Sequence, residues 1–462
     1  MRVLFVVMDT GMYVNTFPQG VAYLTSVLLQ EGIDVEIYNQ DLQHSNDQAL
    51  TDYLDCKKFD LIGVGSIGGY YQFKRLIEIS SAINSSKNRP FFVLGGHGPS
   101  PEPEYYLKKT KADAVIMGEA EKTIVNLCDA IANNTMLHTV KGLAYKSNDQ
   151  VLKNEPQSLI KDIDSIPFPA YHKFPIEYYR LIQMPNASKS DFSMRMISGR
   201  GCIFKCTFCY RMDTGFRPRS PENIIEEIEL LQQKYNINYI GFTDELLMSS
   251  EGRTISLCEA FIHKGLNIKW NCNGRLNYAK ENVLSLMKKA GCVFINYGIE
   301  SLDQQVLNNI KKGLTVDQII RGIEATLEAG ISPGLNVLFG NIGDSKETIN
   351  KTVNFLLKYD DCAQMRTLKP VTPYPGCPLY YYAIEKGLLK DCEDFYEKKH
   401  TNSDLFTVNF TEMDDEEAYE CLRHANRRLI NNYYKKLCEK SLKVVDDLYL
   451  NKNIDFRGFR SY

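Results

Sequence analysis

Cys202, Cys206 and Cys209 fall within eight positions in the stretch Gly199-Arg-Gly-Cys-Ile-Phe-Lys-Cys-Thr-Phe-Cys-Tyr210. A closed tetrahedral zinc site takes four protein ligands, and no fourth Cys or His stands close by to complete one. A 4Fe-4S cluster takes one thiolate per iron, so three cysteines leave one iron open to a substrate or a cofactor. The alternative is a group of structural thiols, but the small and aromatic residues around the three suit a tight loop over a cluster. Other chemically able residues follow short apolar runs: Asp244-Glu245, Arg275 and Glu300-Ser301 in the middle of the chain, and Glu119 in its first third.

These residues need a scaffold that brings them to one place. Strands are expected at 193–198, 239–243, 268–272, 293–297, 334–339 and 364–370, separated by helices such as the one carrying Ile224, Ile225, Ile228 and Leu231 after Pro221-Glu222. Six βα units make a partial (β/α)6 barrel over residues 191–390. In barrels of this kind the chemistry sits at the carboxyl ends of the strands. The cysteine loop follows the first strand, Asp244-Glu245 the second, Arg275 the third, Glu300-Ser301 the fourth and Gly340-Asn341 the fifth. Residues 1–135 also alternate short apolar strands with amphipathic helices, which predicts a Rossmann-like doubly wound parallel sheet. Ligands of such sheets lie beyond the carboxyl ends of the strands, where Ser66, Gly68-Gly69, Gly95-Gly96 and Gly118-Glu119 fall. Residues 136–190 read as a linker, with a hairpin about Asn148-Asp149 and an extended run through Pro167 and Pro169. Residues 391–462 read as a helical segment, opened in part by Asp414-Asp-Glu-Glu417, that closes the open side of the barrel and shapes the substrate pocket.

The C-x-x-x-C-x-x-C spacing, with Phe208 just before the last cysteine, resembles the cluster loop of the radical S-adenosylmethionine (radical SAM) enzymes. Tyr297-Gly-Ile-Glu-Ser301, Lys311-Lys-Gly-Leu-Thr315 and Val371-Thr-Pro-Tyr-Pro-Gly-Cys-Pro-Leu-Tyr380 resemble the same family. The resemblance implies that the open iron chelates S-adenosylmethionine and that its cleavage gives a 5′-deoxyadenosyl radical. It places Asp244 and Glu245 near the ammonium, Arg275 near the carboxylate, and Glu300 with Ser301 near the ribose or amino-acid end. Phe208, Tyr210 and the backbone at Gly340 would frame the adenine, and the long turn Gly340-Asn-Ile-Gly-Asp-Ser-Lys-Glu-Thr348 would reshape that edge. Cys377 stands where a hydroxyl residue is common, either without consequence or as a hydrogen-atom donor.

In the first segment, Ser66, Leu94-Gly95-Gly96-His97-Gly98-Pro99 and Met117-Gly118-Glu119 resemble the cobalamin-binding domain that precedes the barrel in one class of that family. By position, Ser66, Gly95 and Gly96 would line the slot for the nucleotide tail, Gly118 and Glu119 would border the corrin, and His97 lies close enough to approach it. The loop Asp9-Thr-Gly-Met-Tyr-Val-Asn15 has no histidine where many relatives offer one to cobalt, and His44 reads as a solvated loop residue. The lower face of cobalamin is therefore expected to lack a histidine ligand.

The resemblance implies a cobalamin-dependent radical SAM enzyme with three cofactors: a 4Fe-4S cluster, S-adenosylmethionine and cobalamin. Its expected reaction is methylation of an unactivated carbon of a small-molecule or natural-product substrate, with radical cyclisation, rearrangement or oxidation as the alternative. An external one-electron reductant such as flavodoxin or ferredoxin would be its partner. The near-neutral net charge of −3 asks for no nucleic acid. No apolar run is long enough to cross a bilayer, and the chain opens on a strand without signal-peptide anatomy, so a cytoplasmic location is expected. The remaining cysteines, including Cys56, Cys128, Cys258, Cys272 and Cys292, are scattered as single thiols. No C-x-x-C pair near the carboxyl terminus suggests a second cluster.

Overall fold

The computed structural model describes residues 1–11, 15–148 and 150–458. Part of the Asp9–Asn15 loop and of the Asn148-Asp149 turn therefore lies outside the described residues. Among the described residues, the first sheet contains β1 (Arg2–Val7), β2 (Asp34–Asn39), β3 (Leu61–Gly65), β4 (Phe91–Gly95), β5 (Ala114–Ile116), β6 (Leu143–Ser147) and β7 (Gln150–Lys153). Their order is β2-β1-β3-β4-β5-β6-β7, parallel through β5 and antiparallel at β6 and β7. Side chains alternate between two cores, as the pleat requires. Leu4, Val6, Ile62, Val64, Phe92 and Leu94 pack under the helices Asp47–Cys56, Tyr70–Ser85 and Pro103–Thr110. Val3, Phe5, Leu61 and Val93 face the helices Gln19–Gln30 and Glu121–Ala132. The hairpin expected within a linker is present, and it completes this sheet, with Val115 opposite Ala144.

The second sheet is an open half-barrel of six parallel strands. Its strands are β8 (Ser193–Met196), β11 (Tyr239–Phe242), β12 (Lys269–Gly274), β13 (Cys292–Glu300), β14 (Ser332–Phe339) and β15 (Lys369–Pro370), in that spatial order from one edge to the other. Between β8 and β11, a short antiparallel ribbon of β9 (Gly199–Arg200) and β10 (Arg217–Pro218) clamps the two ends of the cysteine loop. Gly201 inside that clamp has φ +88°, and a Cβ there would come 2.4 Å from the Gly215 carbonyl oxygen, so no larger residue fits. The covering helices start where the sequence supplies caps. Ser220 accepts from the Asn223 amide at 3.2 Å, and Thr315 with Gln318 and Ser345 with Thr348 form capping boxes. The core under these helices holds Trp270, Tyr297, Met196 and Phe261, all buried.

The carboxyl-terminal segment divides into a strap and a helix. Asp414 caps the helix Asp415–Tyr449, which packs beside the helix Lys346–Tyr359. Its Asn426 side chain accepts from the Leu368 amide at 2.7 Å and donates to the Leu368 carbonyl at 3.1 Å, so it occupies backbone groups at the barrel's last edge. Before it, residues 394–410 strap the barrel to the first sheet. Tyr396 stacks on Phe73 with centroids 4.4 Å apart and donates to the Gly68 carbonyl at 3.1 Å, and Glu397 pairs with Lys109 at 2.7 Å.

Candidate cluster and cofactor site

The cysteine loop lies at the carboxyl end of β8 and is pinned from two sides: Thr207 donates to the Ile310 carbonyl at 3.0 Å, and its own carbonyl accepts from Leu379 at 2.9 Å. Cys206 is buried, whereas Cys202 and Cys209 are half-buried. The hydrogen bond from Cys209 holds the Cys206 thiol down to about 6 against burial, aided by the Lys312 and Arg275 cations. Burial pushes Cys202 upward. Among the described residues no three His, Cys, Asp or Glu side chains converge as a single ion would require. A 4Fe-4S cluster makes no such demand, because each thiolate takes a different iron. Three thiols on one loop, one already favoured as thiolate and two cations beside it, fit that group.

Around the loop the barrel ends contribute opposing charges. Arg275 is buried with its guanidinium 3.4 Å from the centre of the Phe204 ring, and it donates to the Lys312 carbonyl. Its Nε is buried without a partner, a donor left free for a ligand carboxylate. Glu300 follows a register shift in β13 and has φ +60°. This bend aims its carboxylate at Lys312, whose Nζ lies 2.8 Å away and 5.9 Å from the centre of the Phe208 ring. Lys312, which the sequence left without a role, is the cation paired with Glu300, and its charge also acts on Cys206.

Other expected residues are arranged differently. Asp244 is buried, and both of its oxygens are taken by Ser198, one by the amide at 2.5 Å and the other by the hydroxyl. It ties the ends of β8 and β11 together. Glu245 is exposed near Cys202, its carboxyl raised by desolvation and by Asp213 and Asp244. The Ser301 hydroxyl accepts from the Asp303 amide at 3.2 Å. At the fifth strand end, Asp344 accepts from the Gly340 and Asn341 amides at 3.0 and 2.9 Å, and the Phe406 ring covers Gly340 so closely that a Cβ there would lie 2.4 Å from it. Cys377 is wholly buried at a helix start, and burial raises its thiol to about 11.

The first sheet offers a glycine cradle. Gly96 has φ +98°, and a Cβ on it would come 2.5 Å from the Ser66 carbonyl oxygen. The Ser66 hydroxyl is buried without a partner. An orphaned hydroxyl beside a turn that excludes side chains fits a ligand tail. His97 is exposed at the surface, its pKa lowered by partial desolvation of the ring against the raising charge of Asp213, and the ring meets Tyr210 edge to face at 6.0 Å. Tyr210 therefore stands at the junction of the two sheets. Gly118 turns with φ +82°, but Glu119 points into an ion network, with Arg200 at 2.9 Å and Arg217 at 2.9 Å. Arg200 also binds Glu121 at 2.6 Å, and Arg217 binds Asp213. His44 is exposed, as expected of a solvated loop residue, and pairs through Nδ1 with Asp9 at 2.8 Å.

An open-iron cysteine loop on a half-barrel and a glycine cradle on a doubly wound sheet together define a radical enzyme with a second cofactor domain. The Radical SAM superfamily model matches residues 196–356, and the B12 binding domain model matches residues 8–128. An uncharacterized methyltransferase of Pyrococcus horikoshii is 32% identical over 383 residues, covering 80% of this chain and 79% of the relative. The anaerobic magnesium-protoporphyrin IX monomethyl ester cyclase of Rubrivivax gelatinosus is 28% identical over 396 residues, covering 82% of this chain and 69% of the relative. The structure of the radical S-adenosylmethionine methyltransferase TsrM from Kitasatospora setae, with cobalamin and a 4Fe-4S cluster bound, has the same fold. It covers 93% of this chain and 89% of its own at TM-score 0.73 and 17% identity. The chain belongs to the cobalamin-binding-domain branch of the radical SAM family. It is an enzyme whose cofactors are a 4Fe-4S cluster, S-adenosylmethionine and cobalamin. No helix among the described residues is long and apolar enough to cross a membrane.

Proposed function

We propose that this enzyme methylates an unactivated carbon of a small-molecule substrate held between the glycine cradle and the barrel mouth. When bound, the cluster with S-adenosylmethionine supplies a hydrogen-abstracting radical, and cobalamin supplies the methyl group. One observation carries the reading: Tyr210, next to Cys209, meets His97 of the glycine turn at 6.0 Å, so the two prepared surfaces share a wall. Cys202, Cys206 and Cys209 hold the cluster. Arg275 directs its free Nε at the S-adenosylmethionine carboxylate, Glu300 takes the ammonium or ribose, and Phe208 borders the adenine. Ser66, Gly95 and Gly96 admit the cobalamin tail, and Gly118 leaves room above. An external one-electron reductant, flavodoxin or ferredoxin, completes the reaction.

The cyclase relative supports a second reading, radical cyclisation without methyl transfer. Methyl-labelled S-adenosylmethionine separates the two. Label in the product supports methylation. An unlabelled product formed with stoichiometric 5′-deoxyadenosine overturns it in favour of cyclisation or oxidation. The triple variant C202A/C206A/C209A should make no 5′-deoxyadenosine, and any that it made would sink the cluster assignment.

A further inference from the structure

The inside of the half-barrel is polar, and one cation in it has no counter-charge. Along β8, Met194 and Met196 pack into the core beneath the helices, so Arg195 between them faces the lumen. Among the described residues its side chain makes no hydrogen bond or ion pair, and its Nε is buried. Its pKa is lowered by burial alone, with no acidic group acting on it. The side chain as a whole is half-buried, but its buried Nε–H is a donor that costs free energy to leave unpaired. Every other arginine described beside the cluster has a protein acceptor: Arg200 and Arg217 have carboxylates, and Arg275 has the Lys312 carbonyl.

In register beside Arg195 stands Gly241, then Asn271. Gly241 puts no side chain between Arg195 and Asn271, and the Met184 thioether fills that position as a floor, its Cε 3.0 Å from where a Cβ would lie. Above this floor runs a ladder of amides. Asn336 donates to Asn296 at 3.0 Å, Asn296 to Asn273 at 3.1 Å, and Asn273 to the Asp244 carbonyl at 2.7 Å. On the same face Thr243 donates to Gln19 Oε1 at 2.8 Å, which leaves Gln19 Nε2 buried with no acceptor. Two orphaned buried donors, on separate elements, border a lumen lined by amides. What is missing from this set is an acceptor, and Arg195 asks for a charged one.

We propose that Arg195 anchors the substrate through an oxyanion, a carboxylate or phosphoryl group, with the Asn273–Asn296–Asn336 ladder reading its neutral polar groups. This deepens the methyl-transfer reading and rests on it for the identity of the ligand as substrate. The site lies mid-strand, whereas Arg275 stands at a strand end beside Cys206, so the two cations serve different ligands.

The test is thermal melting of the protein carrying cluster and cobalamin, without S-adenosylmethionine, in titrations of inorganic phosphate or of acetate. The wild type should be protected by at least one of these anions. Protection by phosphate assigns a phosphoryl group, and protection by acetate a carboxylate. Arg195→Met should need about tenfold more anion or show no protection, as expected for losing a charge-assisted hydrogen bond. Arg195→Lys should keep part of it. Without anion, Arg195→Met should melt no lower than the wild type, because it removes a buried donor that has no partner. The proposal is overturned if Arg195→Met melts lower than wild type without anion, if both proteins are protected alike, or if neither anion protects the wild type. The melts need no turnover, so they stand apart from the labelled-methyl experiment that tests the reaction.

Discussion

Lys312 Nζ lies 2.8 Å from Glu300 Oε1, and the pair is buried beside the cysteine loop. Removing one partner of a buried ion pair leaves a stranded charge and costs about 3–5 kcal/mol. Glu300→Gln should therefore melt well below the wild type and lose S-adenosylmethionine binding. Combining it with Lys312→Met should restore most of the stability, since a matched apolar replacement strands nothing. Binding should stay lost in the double variant. Calorimetric titration with S-adenosylmethionine decides: full affinity in the double variant would make the pair structural only.

A second pair, Arg200 with Glu119 at 2.9 Å, joins the strand leading to the cysteines to the turn after β5. Burial alone would raise the Glu119 carboxyl, but the hydrogen bonds from Arg200 and the Ile160 amide, with the Arg200 and Arg217 charges, hold it below its ordinary value of 4.5. A lowered folded pKa means the contribution is present above the unfolded pKa and lost as pH falls through the folded one. Glu119→Gln should destabilise the junction by about 2 kcal/mol near neutral pH. With both cofactors still bound, it should form more 5′-deoxyadenosine per methylated product, because the two surfaces are no longer held in register. An unchanged ratio would limit the network to stability.

Gly96 is the position in the first sheet where a single methyl group should matter most. Alanine there would place its Cβ 2.5 Å from the Ser66 carbonyl oxygen at a φ of +98°. Gly96→Ala should lose the corrin bands after desalting while keeping the iron-sulfur absorption. Ser66→Ala removes only an orphaned hydroxyl, so it should melt like the wild type and bind cobalamin about fivefold more weakly, the cost of one neutral hydrogen bond. Corrin retention by Gly96→Ala equal to the wild type would place the tail elsewhere.

The six barrel strands were legible because local signals agree: apolar runs alternate with helices that start at Ser220-Pro221, Ser250-Glu251 and Ser345. The cysteine spacing marked its loop for the same reason, being local. The structure adds relations that span long stretches of chain. Arg200 and Glu119 lie 81 residues apart, and nothing in either neighbourhood names the other. Asp244 stands at a strand end where a ligand group was expected, yet Ser198, 46 residues earlier, occupies its carboxylate. The β6–β7 hairpin carried the right turn signal, but a hairpin's sequence does not say which sheet edge it will join. Arg195 looked like an ordinary residue of an alternating strand, since the absence of a partner is visible only once every neighbour is placed.

The strap over residues 394–410 carries a pH response of its own. His400 is wholly buried, stacked on Phe395 at 4.9 Å, with Nδ1 2.8 Å from the Thr407 hydroxyl and Nε2 3.5 Å from that of Tyr374. Burial holds its pKa down to about 4 from 6.5. The folded protein therefore binds fewer protons than the unfolded chain between these values, and stability is lost as pH falls from about 6.5 toward 4. The full effect of such a shift is about 3 kcal/mol. Because Tyr396 of the same strap anchors on Phe73 and the Gly68 carbonyl, acid should release the strap from the first sheet. Amide exchange over 394–410, corrected for its intrinsic pH dependence, should quicken from pH 6.5 to 5 in the wild type. His400→Gln keeps a neutral partner for Thr407 and should exchange at one corrected rate across that range. If the variant retains the wild-type acid response, a group other than His400 releases the strap.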